Sequence, residues 1–297
     1  MTDAPQMEPA CLGVPGAMLY YKTQGHGPPL LMLQGGDSDA DGTDALAAHL
    51  IDHYTVLSYD RRGLSRSSVD DPSAPVDLST HCDDAARLLA AVTDEPALVF
   101  GTSIGALLGL DLVSRHPESV RLLVSHEPPA TELLAEPERS QAWREQKDVE
   151  EAYRNDGVAE AMRKFVALAG VRFDDREPDV TLPEPKPERI ANLKFFLTHD
   201  APSVRLYQLD LPSLRTTAHR RIVPAAGEST ETFPHHCAEA LARELGRPLA
   251  EFPGGHTGPL LRPRAFATRL RQVLREDMSS VDYRSDSPTD RAKGIEQ

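Results

Sequence analysis

Apolar positions in the first 126 residues gather into short continuous blocks. PPLLMLQGG, YTVLSYD, PALVFG and VRLLVSHE each hold a short run of apolar residues. Blocks this short and this uniformly apolar predict strands buried on both faces of a parallel sheet. Between them, Thr43 to Ile51, Leu78 to Thr93 and Ile104 to Arg115 carry helical periodicity. The alternation predicts an α/β fold with a doubly wound, mostly parallel sheet. His116-Pro117 closes the third helix, because the residue before proline is pushed out of the helical region.

The pattern changes at Pro128. From there to Thr217 strand blocks vanish and helix-like stretches such as SQAWREQKDVEEAYR and VAEAMRKFVALAG take over. This segment, residues 128–217, is the expected helical lid, inserted between a first core part (1–127) and a second (218–278). Inside it, DDREPDVTLPEPKPE carries four prolines and many acids, which suits an extended, solvated connection. The sheet pattern returns in RRIVPAAG and RPLAEFPG, separated by a helix at CAEALARELG and followed by another at PRAFATRLRQVLRE. Residues 279–297 lack apolar periodicity and are expected to be disordered. No internal repeat is found.

Composition narrows the function classes. At 297 residues there is room for one core and an insertion. A net charge of −14 repels phosphate backbones and anionic lipid, which argues against nucleic acid as a partner. No apolar run is long enough for a membrane span, and MTDAPQMEPACLGVPG has neither the basic start nor the apolar core of a secretory signal. A cytoplasmic location is expected. Cys11, Cys82 and Cys237 are scattered without CxxC spacing, so neither a disulfide framework nor a zinc site is indicated. His235 and His236 are adjacent, and neighbours on a helix point too far apart to chelate one ion well. No metal or other cofactor is expected, the expected partner is a small-molecule substrate, and a homodimer is left open.

The chemistry concentrates in PALVFGTSIGALLGLDLVSRHP, where Gly101-Thr102-Ser103-Ile104-Gly105 sits between an apolar strand and an amphipathic helix. That context predicts a nucleophile elbow with Ser103 at a strained turn. A serine hydroxyl is a weak nucleophile and needs a base within hydrogen-bond reach. His256, in EFPGGHTG after the last strand block, holds the place for it. Two glutamates can supply the acid that orients the imidazole. Glu127 ends the strand after the elbow and Glu228 ends the next one. Either topology reaches His256; the longer Glu side chain favours the earlier strand, so Glu127 is slightly preferred. An acyl transition state also needs two N–H donors. Ile104 provides one by position, and Gly36, in the loop after LLMLQGG, is assigned the second. In the insertion, Phe195, Phe196 and His199 fall at near-helical spacing and are candidates for one pocket-lining face.

GPPLLMLQGG, SYDRRGLSRS, GTSIGA, SHEPP and FPGGHTG occur in the order seen in bacterial α/β-hydrolase-fold enzymes with a serine nucleophile, which the chain resembles over nearly the whole core. The resemblance implies Ser103 as nucleophile, His256 as base and an acid after one of two strands. It implies hydrolysis of an ester, thioester or lactone of a small apolar substrate. Where many members carry His-Gly, this chain has Gln34-Gly35, and where many carry Asp it has Glu228-Ser229-Thr230. Asp60 and Arg62 of DRRGLSRS fall in a loop that the resemblance marks as structural. A serine disfavours the haloalkane dehalogenases and epoxide hydrolases of this fold that use Asp at the elbow. Acyl transfer, perhydrolysis and lyase chemistry use the same residues, and a ligand-binding protein on the same fold is the alternative from another class.

Overall fold

A computed structural model of the protein describes residues 8–182, 187–228 and 231–282. The strands are β1 (Glu8–Val14), β2 (Ala17–Gly25), β3 (Pro29–Leu33), β4 (Thr55–Tyr59), β5 (Ser68–Val69), β6 (Ala97–Thr102), β7 (Val120–His126), β8 (Ile222–Gly227) and β9 (Ala250–Phe252). Among the described residues they form one sheet in the order β1-β2-β4-β3-β6-β7-β8-β9, with the short β5 paired to β2. The pairs from β4 through β3, β6, β7 and β8 to β9 are parallel, while β1, β2 and β4 run antiparallel. All six apolar blocks read from the sequence are strands of the parallel part.

Period-two alternation explains the double winding. In β3, Leu31 and Leu33 face a core shared with Leu78, Leu88, Leu107 and Leu241, while Leu30 and Met32 face a second core with Phe252, Phe266 and Leu270. Both faces of the sheet are therefore apolar, and helices must cover each. One layer holds α2 (Leu78–Val92), α3 (Ile104–Arg115) and α9 (Phe233–Leu245); the other holds the short α1 (Asp44–Ala47) and α11 (Pro263–Asp282). Asp77 caps α2, its side chain accepting from the Thr80 N–H.

Between β7 and β8 lie α4 (Glu138–Asp156), α5 (Val158–Leu168), α6 (Pro187–Phe195), a π-helical turn at Phe196–Asp200, α7 (Ala201–Leu206) and α8 (Leu211–Ser213). This insertion has a small core of its own, with Val149, Ala152, Ala161, Phe196 and Leu197. The remaining helix, α10 (Gly258–Leu261), follows the loop after β9.

The sheet resumes with β8 inside the block RRIVPAAG. Two details differ from expectation. The helix expected over Thr43 to Ile51 is only α1, preceded by a 3₁₀ turn at Ala40–Thr43. The last helix continues to Asp282, past the expected start of the tail at 279, and residues 283–297 lie outside the described residues. Among the described residues, no helix is long and apolar enough to cross a membrane.

Candidate active site

β6 delivers Ser103 to the sheet's carboxyl edge and α3 begins at the next residue. Between them the chain reverses sharply, and Ser103 is held at φ 56°, ψ −126°, a conformation costly for a residue with a Cβ. Flanking glycines make the reversal fit. A Cβ on Gly105 would lie 2.0 Å from the Leu33 carbonyl oxygen, and one on Gly101 would lie 2.3 Å from the Gly105 oxygen. The Ser103 N–H donates to the His126 carbonyl at 3.0 Å, which fastens the elbow to β7. Ile104 is the first residue of α3, so its N–H has no intrahelical carbonyl to bond and stands at the end of the helix where negative charge is favoured.

Glu127 follows β7 and is also held at positive φ, 49°, with its N–H donating to the Ala225 carbonyl at 2.9 Å. Its carboxylate is buried, and both oxygens are engaged. Oε1 accepts from the Gly227 N–H at 2.8 Å, and Oε2 lies 2.7 Å from His256 Nδ1. His235, near the start of α9, brings Nδ1 to 3.8 Å from Oε1, too long for a hydrogen bond but close for charge. Burial opposes ionisation of Glu127, yet the imidazoles of His235 and His256 outweigh it and hold the carboxyl well below its usual range. In return, the Glu127 carboxylate raises the pKa of His235. Completely buried beside them, His126 is pushed down to about 4 by desolvation and packs against Phe100, Phe252 and Phe266 as a neutral ring.

His256 sits in the loop between β9 and α10 and is 8% exposed, so its ring is screened while one edge still meets the cavity. With Nδ1 committed to a carboxylate, Nε2 is left as the nitrogen able to take a proton from a hydroxyl. Glu228 is placed differently. Its N–H donates to the Phe252 carbonyl at 2.9 Å and its side chain is exposed.

The loop after β3 closes the site from the other side. Gly35 packs directly on the serine, since a Cβ there would lie 3.1 Å from Ser103 Cβ. Gly36 adopts φ 48° with open space where a side chain would be. Two chambers meet at Ser103 and His256. The narrower, about 50 Å³, is walled by apolar groups that include Ile104, Val149, Leu168 and Phe196. The wider, about 320 Å³, runs along the loop Gln34–Asp39 and beneath Phe173 and Asn192.

Of the three insertion candidates, Phe196 alone among the described residues lines these chambers. Phe195 packs on Gly63 and stacks on His199 with ring centres 4.6 Å apart. Consecutive helical residues point about 100° apart, and the π turn adds a residue that shifts the face further, so the three do not share one side. Residues that the motifs did not single out are His126 beside the acid and Arg61, whose side chain reaches the loop after β3; His235, weighed only as half of a metal-binding pair, also lies beside the acid. His236 turns away from His235 onto Glu138, at 2.5 Å.

Residues 28–177 match the family model for the α/β hydrolase fold. Over 270 residues, 90% of this chain and 96% of the relative, the sequence is 38% identical to an uncharacterized hydrolase, YraK, of Bacillus subtilis (strain 168). Among solved structures, a hydrolase from Pseudomonas aeruginosa PA01 superposes with TM-score 0.65 at 23% identity, covering 90% of this chain and 98% of that one. A thermophilic esterase from Thermogutta terrifontis superposes with TM-score 0.66 at 19% identity, covering 92% and 99%. At these identities the two structures speak to the fold.

Proposed function

We propose that this chain, which belongs to the α/β-hydrolase family, is a serine hydrolase that cleaves an ester, thioester or lactone of a small apolar substrate through an acyl-enzyme. The observation that carries the reading is the buried Glu127–His256 hydrogen bond of 2.7 Å beside a serine presented on a strained elbow, with serine and histidine lining the same two chambers.

In this reading Ser103 Oγ attacks the substrate carbonyl while His256 Nε2 takes its proton. Glu127 holds the ring in the tautomer that leaves Nε2 unprotonated and stabilises the imidazolium that forms. The N–H groups of Ile104 and Gly36 receive the developing oxyanion. Collapse expels the alcohol or thiol, which takes the proton back from His256. Water then repeats the sequence on the acyl-enzyme, releasing the acid and restoring Ser103.

Substrate size follows from the chambers. A water-sized group needs about 10–15 Å³ on this measure. The apolar chamber of about 50 Å³ therefore accepts an arm of a few non-hydrogen atoms, and the larger arm goes to the chamber of about 320 Å³. The test is turnover by purified wild type and Ser103→Ala on a panel of esters, thioesters and lactones with one arm lengthened stepwise. Activity on short-armed members, lost in Ser103→Ala and falling steeply as the arm outgrows the narrow chamber, is expected. A folded wild type inert to the whole panel, or a variant that keeps its turnover, would overturn the reading.

A further inference from the structure

The loop after β4 reads Asp60-Arg61-Arg62-Gly63-Leu64-Ser65-Arg66, and its three arginines have separate destinations. Arg62 makes a two-pronged pair with Asp84 on α2, and Arg66 pairs with Asp60 of its own loop. Those two fasten β4 to its surroundings. Arg61 is different, because it is 1% exposed and its guanidinium spans two elements that carry the site. Nη1 donates to the Gln34 carbonyl at 3.0 Å, while Nη2 donates to the Gly36 carbonyl and to Asp200 Oδ2, the latter at 3.0 Å.

A trans peptide is planar and holds its C=O and the following N–H on opposite sides. Drawing the Gln34 and Gly36 carbonyls toward Arg61 therefore sets the planes of the peptides on either side of the Gly35-Gly36 unit. The peptide between them is fixed by its carbonyl, which accepts from the Ser38 N–H at 3.1 Å, so the Gly36 N–H is turned the other way. Two successive glycines have little intrinsic stiffness. Arg61 supplies it to the two flanking peptides, between which the Ser38 N–H holds the middle one.

A buried guanidinium persists only with a partner for its charge. That partner, Asp200, comes from the π turn of the insertion, has a fully buried side chain, and meets His81 Nε2 of α2 at 2.9 Å with its other oxygen. Burial opposes the Asp200 charge, but His81 and Arg61 outweigh it and hold the carboxyl below its usual range. The same loop is stitched to α6 as well. Asn192 Nδ2 donates to the Asp37 carbonyl at 3.2 Å, and Arg189 pairs with Asp37 at 3.1 Å.

From this geometry we propose that Arg61 is the positioning residue for the oxyanion-binding Gly36 N–H, and that Asp200 holds Arg61 in place, so that docking of the helical insertion completes the oxyanion hole. The inference rests on the reading of Ser103 as nucleophile. It assigns the insertion a part in the acyl-transfer step itself, beyond enclosing the substrate.

The experiment compares wild type, Asp200→Asn and Arg61→Lys by kcat, KM, and affinity for a trifluoromethyl ketone, whose tetrahedral adduct on Ser103 places an oxyanion in the hole. Deleting one oxyanion donor outright costs about 10²–10³ in kcat. Misplacing one is expected to lower kcat by roughly 10- to 100-fold, with KM changed by less than about threefold and ketone affinity falling in step with kcat. A packing role alone would not produce that split. Should either single variant fail to fold, Arg61→Met combined with Asp200→Leu removes both charges together, a change that buried pairs often tolerate, and the same split is expected of it. Unchanged kcat and ketone affinity in a folded variant, or a rise in KM at constant kcat, would overturn the proposal while leaving Ser103 as nucleophile. A wild type that forms no adduct on Ser103 would instead overturn the reading beneath it.

Discussion

Two glutamates end neighbouring parallel strands of this sheet, Glu127 after β7 and Glu228 after β8, yet they occupy opposite environments. Each donates its N–H to the next strand over, Glu127 to Ala225 and Glu228 to Phe252, so the backbone ladder treats them alike. What separates them is the backbone angle and what lies within reach. Glu127 at φ 49° is in the left-handed region, which costs roughly 1–3 kcal/mol for a residue of this kind. In exchange its buried carboxylate meets the Gly227 N–H and His256 and lies 3.8 Å from the His235 imidazole. Glu228 carries no positive φ and projects to solvent. Strand-end position therefore makes an acid available, while the local backbone angle and the donors within reach decide whether its carboxylate is buried against an imidazole.

The largest effect expected is from Ser103→Ala. It removes one oxygen without disturbing the packing of Gly101 and Gly105, and should lower turnover by about 10⁶, as loss of the serine does in a protease with the same arrangement. The thermal midpoint should stay within a few degrees. Retained turnover would detach the whole comparison from chemistry.

Next comes Glu127→Gln, which keeps shape and deletes charge. Losing the orienting carboxylate costs about 10⁴ in turnover in the serine-protease template, and a loss of that order is expected here. If Glu228→Gln showed it instead, the acid would move one strand over.

A smaller effect sharpens the electrostatics. The folded pKa of Glu127 lies well below the ordinary 4.5, so the carboxylate contributes stability that is present above about pH 4.5 and is lost as pH falls through its depressed folded value. Thermal unfolding of wild type and Glu127→Gln from pH 7 down to pH 3 should show the charge-dependent part of their difference shrinking at the acid end. A gap that widens on acidification would contradict the assignment of direction.

Smallest is Glu228→Gln. An exposed side chain outside the His256 contact predicts a change in kcat of less than about twofold and in stability within roughly 0.5 kcal/mol. Steady-state kinetics and a melting curve check both.

Much of the scaffold is legible in the sequence because the parallel strands are buried on both faces and read as unbroken apolar blocks. The antiparallel β1 and β2 are not, since EPACLGV and AMLYYKTQG are half exposed and mix polar with apolar positions. Ser103 and His256 stand out because tight turns demand glycines around them. The choice between Glu127 and Glu228 is not legible, because it depends on one φ angle and a contact between residues 129 positions apart. Arg61 and Asp200 are hidden for the same reason, with 139 positions between them and no local pattern joining them. Spacing predicts Phe195, Phe196 and His199 on one pocket-lining face, whereas around the π turn, which no periodicity announces, Phe195 and His199 pack on each other and Phe196 lines the chamber.

The most direct test of the central claim is to react the wild type with a fluorophosphonate and locate the adduct by peptide mass spectrometry, with Ser103→Ala and Glu127→Gln treated in parallel. The account predicts a single adduct on Ser103, formed quickly in the wild type, formed orders of magnitude more slowly in Glu127→Gln, and absent in Ser103→Ala. An adduct on another residue, or none on a folded and active wild type, would contradict it.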